Sequence, residues 1–276
     1  MNKLLSKAER EYIRGGSDVM VREDGRKQND LRAVLIEREV IPHVNGSAHV
    51  KIGDSLEVLC SVKTDVIEPR ASAPSEGQLV FTTEISSACS AISVHMDERK
   101  LTMIGAEISH HLQSFYMGSD SLNLTSMGII DGRFCWAIHV DLVVLQCDGY
   151  PLDACSVAAR EALLCTKLPK LQMKMGDSGQ PENFDVEGDM SSAVGLSTND
   201  LPICLTMAKV GERFLSDVSL NEYLSADCVY TVALDKKGQF CGVAKIAGSA
   251  LPADQVFTML QFGQSVHHEV ESVLVT

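Results

Sequence analysis

The chain has 276 residues, 45% hydrophobic and 22% charged, which is enough for one large domain or two packed halves with a sizeable core. Asp and Glu outnumber Lys and Arg by 37 to 24, a net charge of −13. That balance excludes a protein that grips nucleic acid over its whole surface, because neutralisation of phosphate by basic residues dominates such affinity.

The first predicted element is a helix. Ser6-Lys7-Ala8-Glu9 fits a capping box, with Ser6 as N-cap and Glu9 reaching back, and Gly15-Gly16 ends the run. Arg22-Glu23-Asp24-Gly25-Arg26 then reads as a charged turn before a series of strands. The first strand spans Leu31 to Val44 and leads into Asn45-Gly46, a hairpin dipeptide. Ala48 to Ile52 and Ser55 to Thr64 follow, split at Gly53-Asp54. Leu56, Val58, Cys60 and Val62 alternate with mostly polar neighbours, as one buried face requires. Residues 68–77, rich in Pro, Ser and Ala, read as a loop.

From Glu98 to Tyr116 the period changes, and Leu101, Ile104, Ile108, Leu112 and Phe115 form one helical stripe. Met127 to Ile130 and Phe134 to Gln146 make a hairpin about Asp131-Gly132. The second of these strands is apolar nearly throughout, apart from His139 and Asp141, which predicts that both its faces are covered. Asp148-Gly149-Tyr150-Pro151 turns the chain into a helix from Asp153 to Thr166.

Residues 169–200, rich in Gly, Ser, Asp, Glu and Pro, read as an acidic linker or loop. Strands resume at Ile203–Val210, Cys228–Leu234 and Phe240–Ile246. A closing helix runs from Pro252 to Leu274, with Val256, Leu260, Gly263, Val266, Val270 and Val273 on one side. The order predicts an α+β protein, mixed sheets with packed helices in two halves: 1–168, a connecting 169–200, and 201–276. No stretch approaches the roughly 18 uninterrupted apolar residues of a membrane span, and residues 1–14 lack a signal-peptide apolar region. The nine cysteines include no CxxC pair, so they read as buried reduced thiols of the cytosol or nucleus.

Three segments carry a resemblance. The first is Arg22-x-Asp24-Gly25-Arg26, followed by Gly46-Ser47-Ala48 and a strand ending near Lys63. The second runs from Trp136 through His139, Asp141 and Asp148-Gly149 into Leu152-Asp153-Ala154 and an Ala-rich helix. The third is Leu201-Pro202-Ile203-Cys204-Leu205-Thr206, followed by Asp217 and Glu222. In this order and spacing they resemble the RNase PH-like proteins, whose fold is of the ribosomal protein S5 domain 2 kind, and within them the forty-two-type exosome ring subunits. The resemblance implies a place in a hexameric ring around an RNA channel, beside a forty-one-type neighbour. Cap subunits and an associated exonuclease would complete the assembly, which acts in 3′-to-5′ RNA processing and degradation. Pools in the nucleus, including the nucleolus, and in the cytoplasm are expected on the same ground.

Phosphorolysis needs a cationic, NH-rich cradle for phosphate, with carboxylates beside it for acid–base work or a metal. Active relatives build the cradle from a Gly/Ser/Thr/Arg run that opens a helix after an Asp-Gly turn, where the helix N-terminus favours an anion. Here that place reads Tyr150-Pro151-Leu152-Asp153. Leu152 takes the arginine position, Pro151 has no N–H, and Asp153 brings a negative charge better suited to a helix N-cap. Active relatives also pair two aspartates six positions apart. Asp217 is present, but Tyr223 stands six further on, and the adjacent Glu222 projects in a different direction from it. The expectation is therefore a chain that is not an enzyme, with no catalytic residue, phosphate site or cofactor. The rival reading, an active phosphate-dependent 3′-to-5′ exoribonuclease, needs the arginine and the paired aspartate.

For RNA, the resemblance implies arginines on the long helix, but Ile108 to Ser114 contains none. Arg70, Arg99 and Lys100 remain as candidates, with a solvated basic pair the simpler reading of the last two. Arg22, Asp24 and Arg26 are expected to form a structural charge network at a subunit contact. His110-His111 and His267-His268 suggest a metal, yet helical neighbours diverge by about 100° and no third ligand stands near, so no metal site is expected.

Overall fold

Alternating apolar residues build the first sheet, seen in a computed structural model that describes residues 5–18, 21–87, 89, 98–119, 121–176, 181–187 and 192–274. Its strands are β1 (Val34–Arg38), β2 (Gly46–Ile52), β3 (Leu56–Ile67), β4 (Gln78–Ile85), β5 (Gly128–Ile130) and β6 (Phe134–Gln146). They run in the order β1-β2-β3-β6-β4, with β5 paired to β6, and β4 lies parallel to β6 in an otherwise antiparallel sheet. Leu56, Val58, Cys60 and Val62 of β3 are buried together with Ala48, Val50 and Ile52 of β2 and Ile138, Val140, Leu142 and Val144 of β6. The other face of β6 departs from expectation. His139, Asp141, Val143 and Leu145 are only half-buried, because the helices of this chain cover the sheet on one side, as antiparallel sheets permit.

Helix α1 (Lys7–Asp18) starts as its capping box predicts: Ser6 N donates to Glu9 Oε2 at 2.6 Å and Glu9 N to Ser6 Oγ at 3.2 Å. Helix α2 (Glu98–Met117) buries Leu101, Gly105, Ile108, Leu112, Phe115 and Tyr116 against β4 and reaches the second sheet. Gly105 allows the close approach, since a Cβ there would meet Thr83 O at 2.5 Å. Helix α3 (Leu152–Leu164) buries eleven of its thirteen residues, so it acts as a wedge between β2, β3 and β6 of the first sheet and β11 of the second.

Segment 169–200, read as a linker, carries regular structure. After β7 (Lys167–Leu168), β8 (Leu171–Met175) and β9 (Pro181–Val186) form an antiparallel ribbon, and β10 (Val194–Gly195) pairs back onto β7. The ribbon is short and mostly exposed, so its polar composition is compatible with pairing that a loop reading does not anticipate. Phe184 packs edge-on against Phe134 at 5.3 Å.

The second sheet is antiparallel in the order β12-β11-β13-β14, from β11 (Ile203–Val210), β12 (Arg213–Ser216), β13 (Cys228–Leu234) and β14 (Phe240–Gly248). Helix α4 (Leu220–Ser225) lies between β12 and β13, and α5 (Ala253–Leu274) packs on β11, β12 and β13. Its buried face comprises Met259, Gly263, Val266, His267, Val270 and Leu274. Val256 and Leu260 are half-buried and Val273 is exposed, a rotation of the stripe expected from sequence. Among the described residues no helix is long and apolar enough to cross a membrane.

Gly46 is where a sequence rule misleads. Residues 39–45 form a wider connection than a two-residue hairpin, and Gly46 is the first residue of β2. Its neighbour Asn45 accepts from Thr64 N at 3.1 Å and donates to Lys167 O at 3.0 Å. Gly46 is needed because α3 ends against it: a Cβ would lie 2.4 Å from both Ala162 O and Thr166 Oγ1. Gly46→Ala should therefore destabilise the chain by about 2 kcal/mol or more, read as a lower urea midpoint at unchanged m-value.

Candidate functional site

The residues that phosphorolysis would use converge where the β6–α3 turn meets the β12–α4 turn. Gly149 has φ +111°, and a Cβ on it would strike Val218 O at 2.4 Å, so only glycine lets the two turns touch. Asp148 joins them: Oδ1 accepts Leu220 N at 2.9 Å and Oδ2 accepts Ser55 Oγ at 3.2 Å. Tyr150 then stacks on Tyr223, with ring centroids 6.0 Å apart and planes 7° from parallel. Burial, with the negative charge of Glu107 on α2, pushes the Tyr223 phenol up to about 12, and burial raises Tyr150 as well. Both phenols therefore keep their protons at neutral pH.

At the start of that helix the expected cap is absent. Pro151 holds the N-cap position and makes no side-chain cap bond. Asp153 lies inside the helix and turns toward the second sheet. Its carboxylate accepts Thr206 N at 2.8 Å and Thr206 Oγ1 at 2.6 Å, and Ser156 Oγ accepts Cys204 N at 2.9 Å. These N–H groups lie on the edge of β11 beyond its pairing with β12, which begins at Met207. Asp153 therefore closes a sheet edge, which a helix cap could not do. Burial raises its pKa to about 7, against the Thr206 hydrogen bonds and with a push from Asp217.

Asp217 has φ +45°, rare for a residue with a side chain. Its carboxylate accepts Arg32 N at 2.8 Å, Arg32 Nη2 at 2.6 Å and Arg26 Nη1 at 2.8 Å, while its carbonyl accepts Arg22 Nη2 at 2.8 Å. Burial alone would raise this carboxyl, but the hydrogen bonds and charge of Arg32, helped by Arg26, hold it below the usual range. Glu222 is the partner of Arg22 in a bidentate pair, Nε–Oε1 2.7 Å and Nη2–Oε2 2.6 Å, with side chains 2% and 4% exposed. Glu222 Oε2 also accepts Ser219 N at 2.9 Å in the capping box of α4. Arg32 Nη1 lies 3.5 Å from Asp148 Oδ2, and Arg26 Nε binds Asp24 Oδ2 at 2.6 Å. Arg22, Arg26 and Arg32 thus face Asp24, Asp148, Asp217 and Glu222, which leaves no surplus positive charge. One adjoining cavity, lined by Arg32, Asp153, Val157, Thr206 and Asp217 among others, is about 50 Å³, whereas a cleft of about 640 Å³ borders Arg22 and Glu222 on the α1 side.

The charged trio Arg22, Asp24 and Arg26 forms a network with Asp217 and Glu222. Arg22 is buried and has no side-chain surface to offer a neighbour; Asp24 keeps 44% of its side chain exposed. The basic candidates for RNA are not brought together. Arg99 and Lys100 are exposed at the start of α2, whereas Arg70 borders a small cleft with Met117 at its end, about 27 Å away along the helix. Trp136 is core. His111 stacks on Phe115 at 5.9 Å and His267 is fully buried; among the described residues no group of three His, Cys, Asp or Glu is placed to hold a metal. Arg32 was missed by sequence reading, although an arginine just ahead of the first strand was available as a signal.

Profiles of the 3′ exoribonuclease family match this chain in both halves, domain 1 over residues 30–169 and domain 2 over residues 200–266. The chain belongs to the RNase PH family. Exosome complex component Rrp42 of Methanocella arvoryzae is 30% identical, with 92% of this chain and 90% of that one covered. A Dictyostelium discoideum protein provisionally named as an exosome complex exonuclease, RRP42, is 26% identical over 98% of this chain and 96% of its own. Among solved structures, a chain of the Archaeoglobus fulgidus exosome with RNA bound to the active site superposes with a TM-score of 0.81 at 26% identity, covering 96% of this chain and 97% of that one. As an RNase PH-type α+β fold, the chain keeps the family scaffold.

Two measurements test this geometry. Arg22→Ala leaves Glu222 buried without its partner and should cost about 3–5 kcal/mol, whereas an apolar replacement of Arg22 and Glu222 together should cost much less; urea unfolding of both variants decides. For Asp153, a folded-state pKa raised above the unfolded value means that its contribution is most favourable at low pH and is lost between about pH 4 and pH 7. The stability difference between wild type and Asp153→Asn should shift against wild type across that window and level off above it.

Proposed function

We propose that this chain is a non-catalytic ring subunit of an RNA exosome, serving 3′-to-5′ RNA processing and degradation, rRNA processing included, through partner subunits. The family membership and the likeness to exosome Rrp42 proteins support the ring assignment. The inactive reading rests on one observation above all: the three arginines of the site are already balanced by four carboxylates. An anion entering there would meet guanidinium groups whose charge carboxylates already match, although Arg26 Nη2 and Arg32 Nη1 have no hydrogen-bond partner of their own.

In this reading the chain completes the ring beside a forty-one-type neighbour, walls part of the RNA channel, and works with cap subunits and an associated exonuclease. Its net charge of −13 suits a chain that binds proteins while more basic neighbours supply the path for RNA. Nuclear, nucleolar and cytoplasmic pools rest on the family resemblance alone. The rival, an active phosphate-dependent exoribonuclease, draws its support from the name of the Dictyostelium relative.

The deciding experiment incubates single-stranded RNA and inorganic phosphate with the full chain, alone and joined to a forty-one-type partner whose own site is disabled. We expect no nucleoside diphosphate above the protein-free control. Release that disappears in Asp217→Asn or Glu222→Gln would make the chain an enzyme and overturn the proposal.

A further inference from the structure

Two cysteines that play no part in the site meet for a topological reason. Strands β4 and β6 are parallel neighbours, with Ile85 opposite Val144, so their C-terminal ends emerge side by side. Ser86 N continues the pairing onto Val144 O at 2.9 Å, and Cys89 N then turns back to Ser86 O at 3.0 Å. Cys147 directly follows the last residue of β6. The two thiols are thereby brought together across 58 positions of sequence, with Sγ atoms 2.9 Å apart. Both are buried, at 0% and 1% exposure, so core packing holds them in place. Among the described residues no other pair of cysteines has its sulfurs in contact.

We infer that Cys89 and Cys147 are a latent disulfide pair, closed by a peroxide oxidant and opened by a thiol reductant. The sulfurs need approach by only a further ~0.9 Å to reach bonding distance. In the first step one thiol sulfur attacks a peroxide oxygen; the O–O bond breaks, water leaves and a sulfenic acid forms. In the second, the other sulfur attacks the sulfenic sulfur, its hydroxyl departs as a second water, and the S–S bond is made. Two thiols are oxidised, one hydrogen peroxide is reduced to two waters, and the two thiol hydrogens end in that water. Whichever sulfur reacts first, its partner is in position to resolve it before further oxidation.

The hydrogen bond with Cys89 and burial both hold the proton on Cys147, so the reaction is slow at neutral pH compared with that of an exposed low-pKa thiol. The closed bond fastens the segment after β4 to the Asp148–Gly149 turn that enters α3. It would tie together two parts of the fold otherwise joined through the sheet.

The test exposes the full chain to hydrogen peroxide, unfolds it in an alkylating reagent, and maps unreduced digests by mass spectrometry. We expect a peptide pair joined through Cys89 and Cys147, two hydrogens lighter than the separate peptides. Tm should rise by roughly 5 °C, a gain that dithiothreitol removes. In Cys147→Ser the cross-link and the rise should both vanish and Cys89 should become trappable as a sulfenic acid; Cys89→Ser gives the reciprocal result. Recovery of both cysteines fully alkylated after oxidation, or of either joined to a different cysteine, would overturn the inference. The wild-type map decides this even where a variant fails to fold.

Discussion

The grip of Arg22, Arg26 and Arg32 on residues 216–222 is the constraint on which the rest of this structure depends. The contacts span 185 to 200 positions of sequence, so they close the N-terminal segment onto the second sheet. They also hold Asp217 in a left-handed backbone conformation that it would not adopt unaided. Buried ion pairs of this kind contribute little over an apolar replacement of the same shape, yet each member is costly to remove alone. Their consequence is geometric. Glu222 is placed by a clamp that leaves its carboxylate already engaged by Arg22 and Ser219 N.

The second determinant is α3, a helix of small residues driven between two sheets. Ala154, Ala158, Ala159 and Ala162 are fully buried, and their size lets the helix lie close enough for Gly46 to touch its C-terminal end. At the other end, Asp153 and Ser156 satisfy N–H groups on the edge of β11 that would otherwise lie buried without partners. At a helix N-terminus that favours an anion in principle, Asp153 and Ser156 are here committed to bonds with β11. The internal engagement of these side chains goes with an acidic charge balance over the whole chain, −13.

Much of this was legible beforehand, and the successes share a cause. Helices α2 and α5, the alternation in β3 and the capping box at Ser6 follow from local periodicity and short-range hydrogen bonding, which a single segment carries within itself. Strand β4 went unread although Leu79, Phe81, Thr83 and Ile85 alternate into the core. The β8–β9 ribbon was hidden by a polar composition that exposed strands share with loops.

By itself, then, the sequence determined the family scaffold and the order of its main helices and strands. Only the tertiary structure decided what the remaining groups do. Asp153 closes a sheet edge, Glu222 neutralises Arg22, Gly46 admits a helix end, and Arg22 lies buried within the chain. Each of these roles depends on a partner scores of residues away, or on the space left between packed elements. Spacing along one segment carries no information about either, so those roles exist only once the chain has closed on itself.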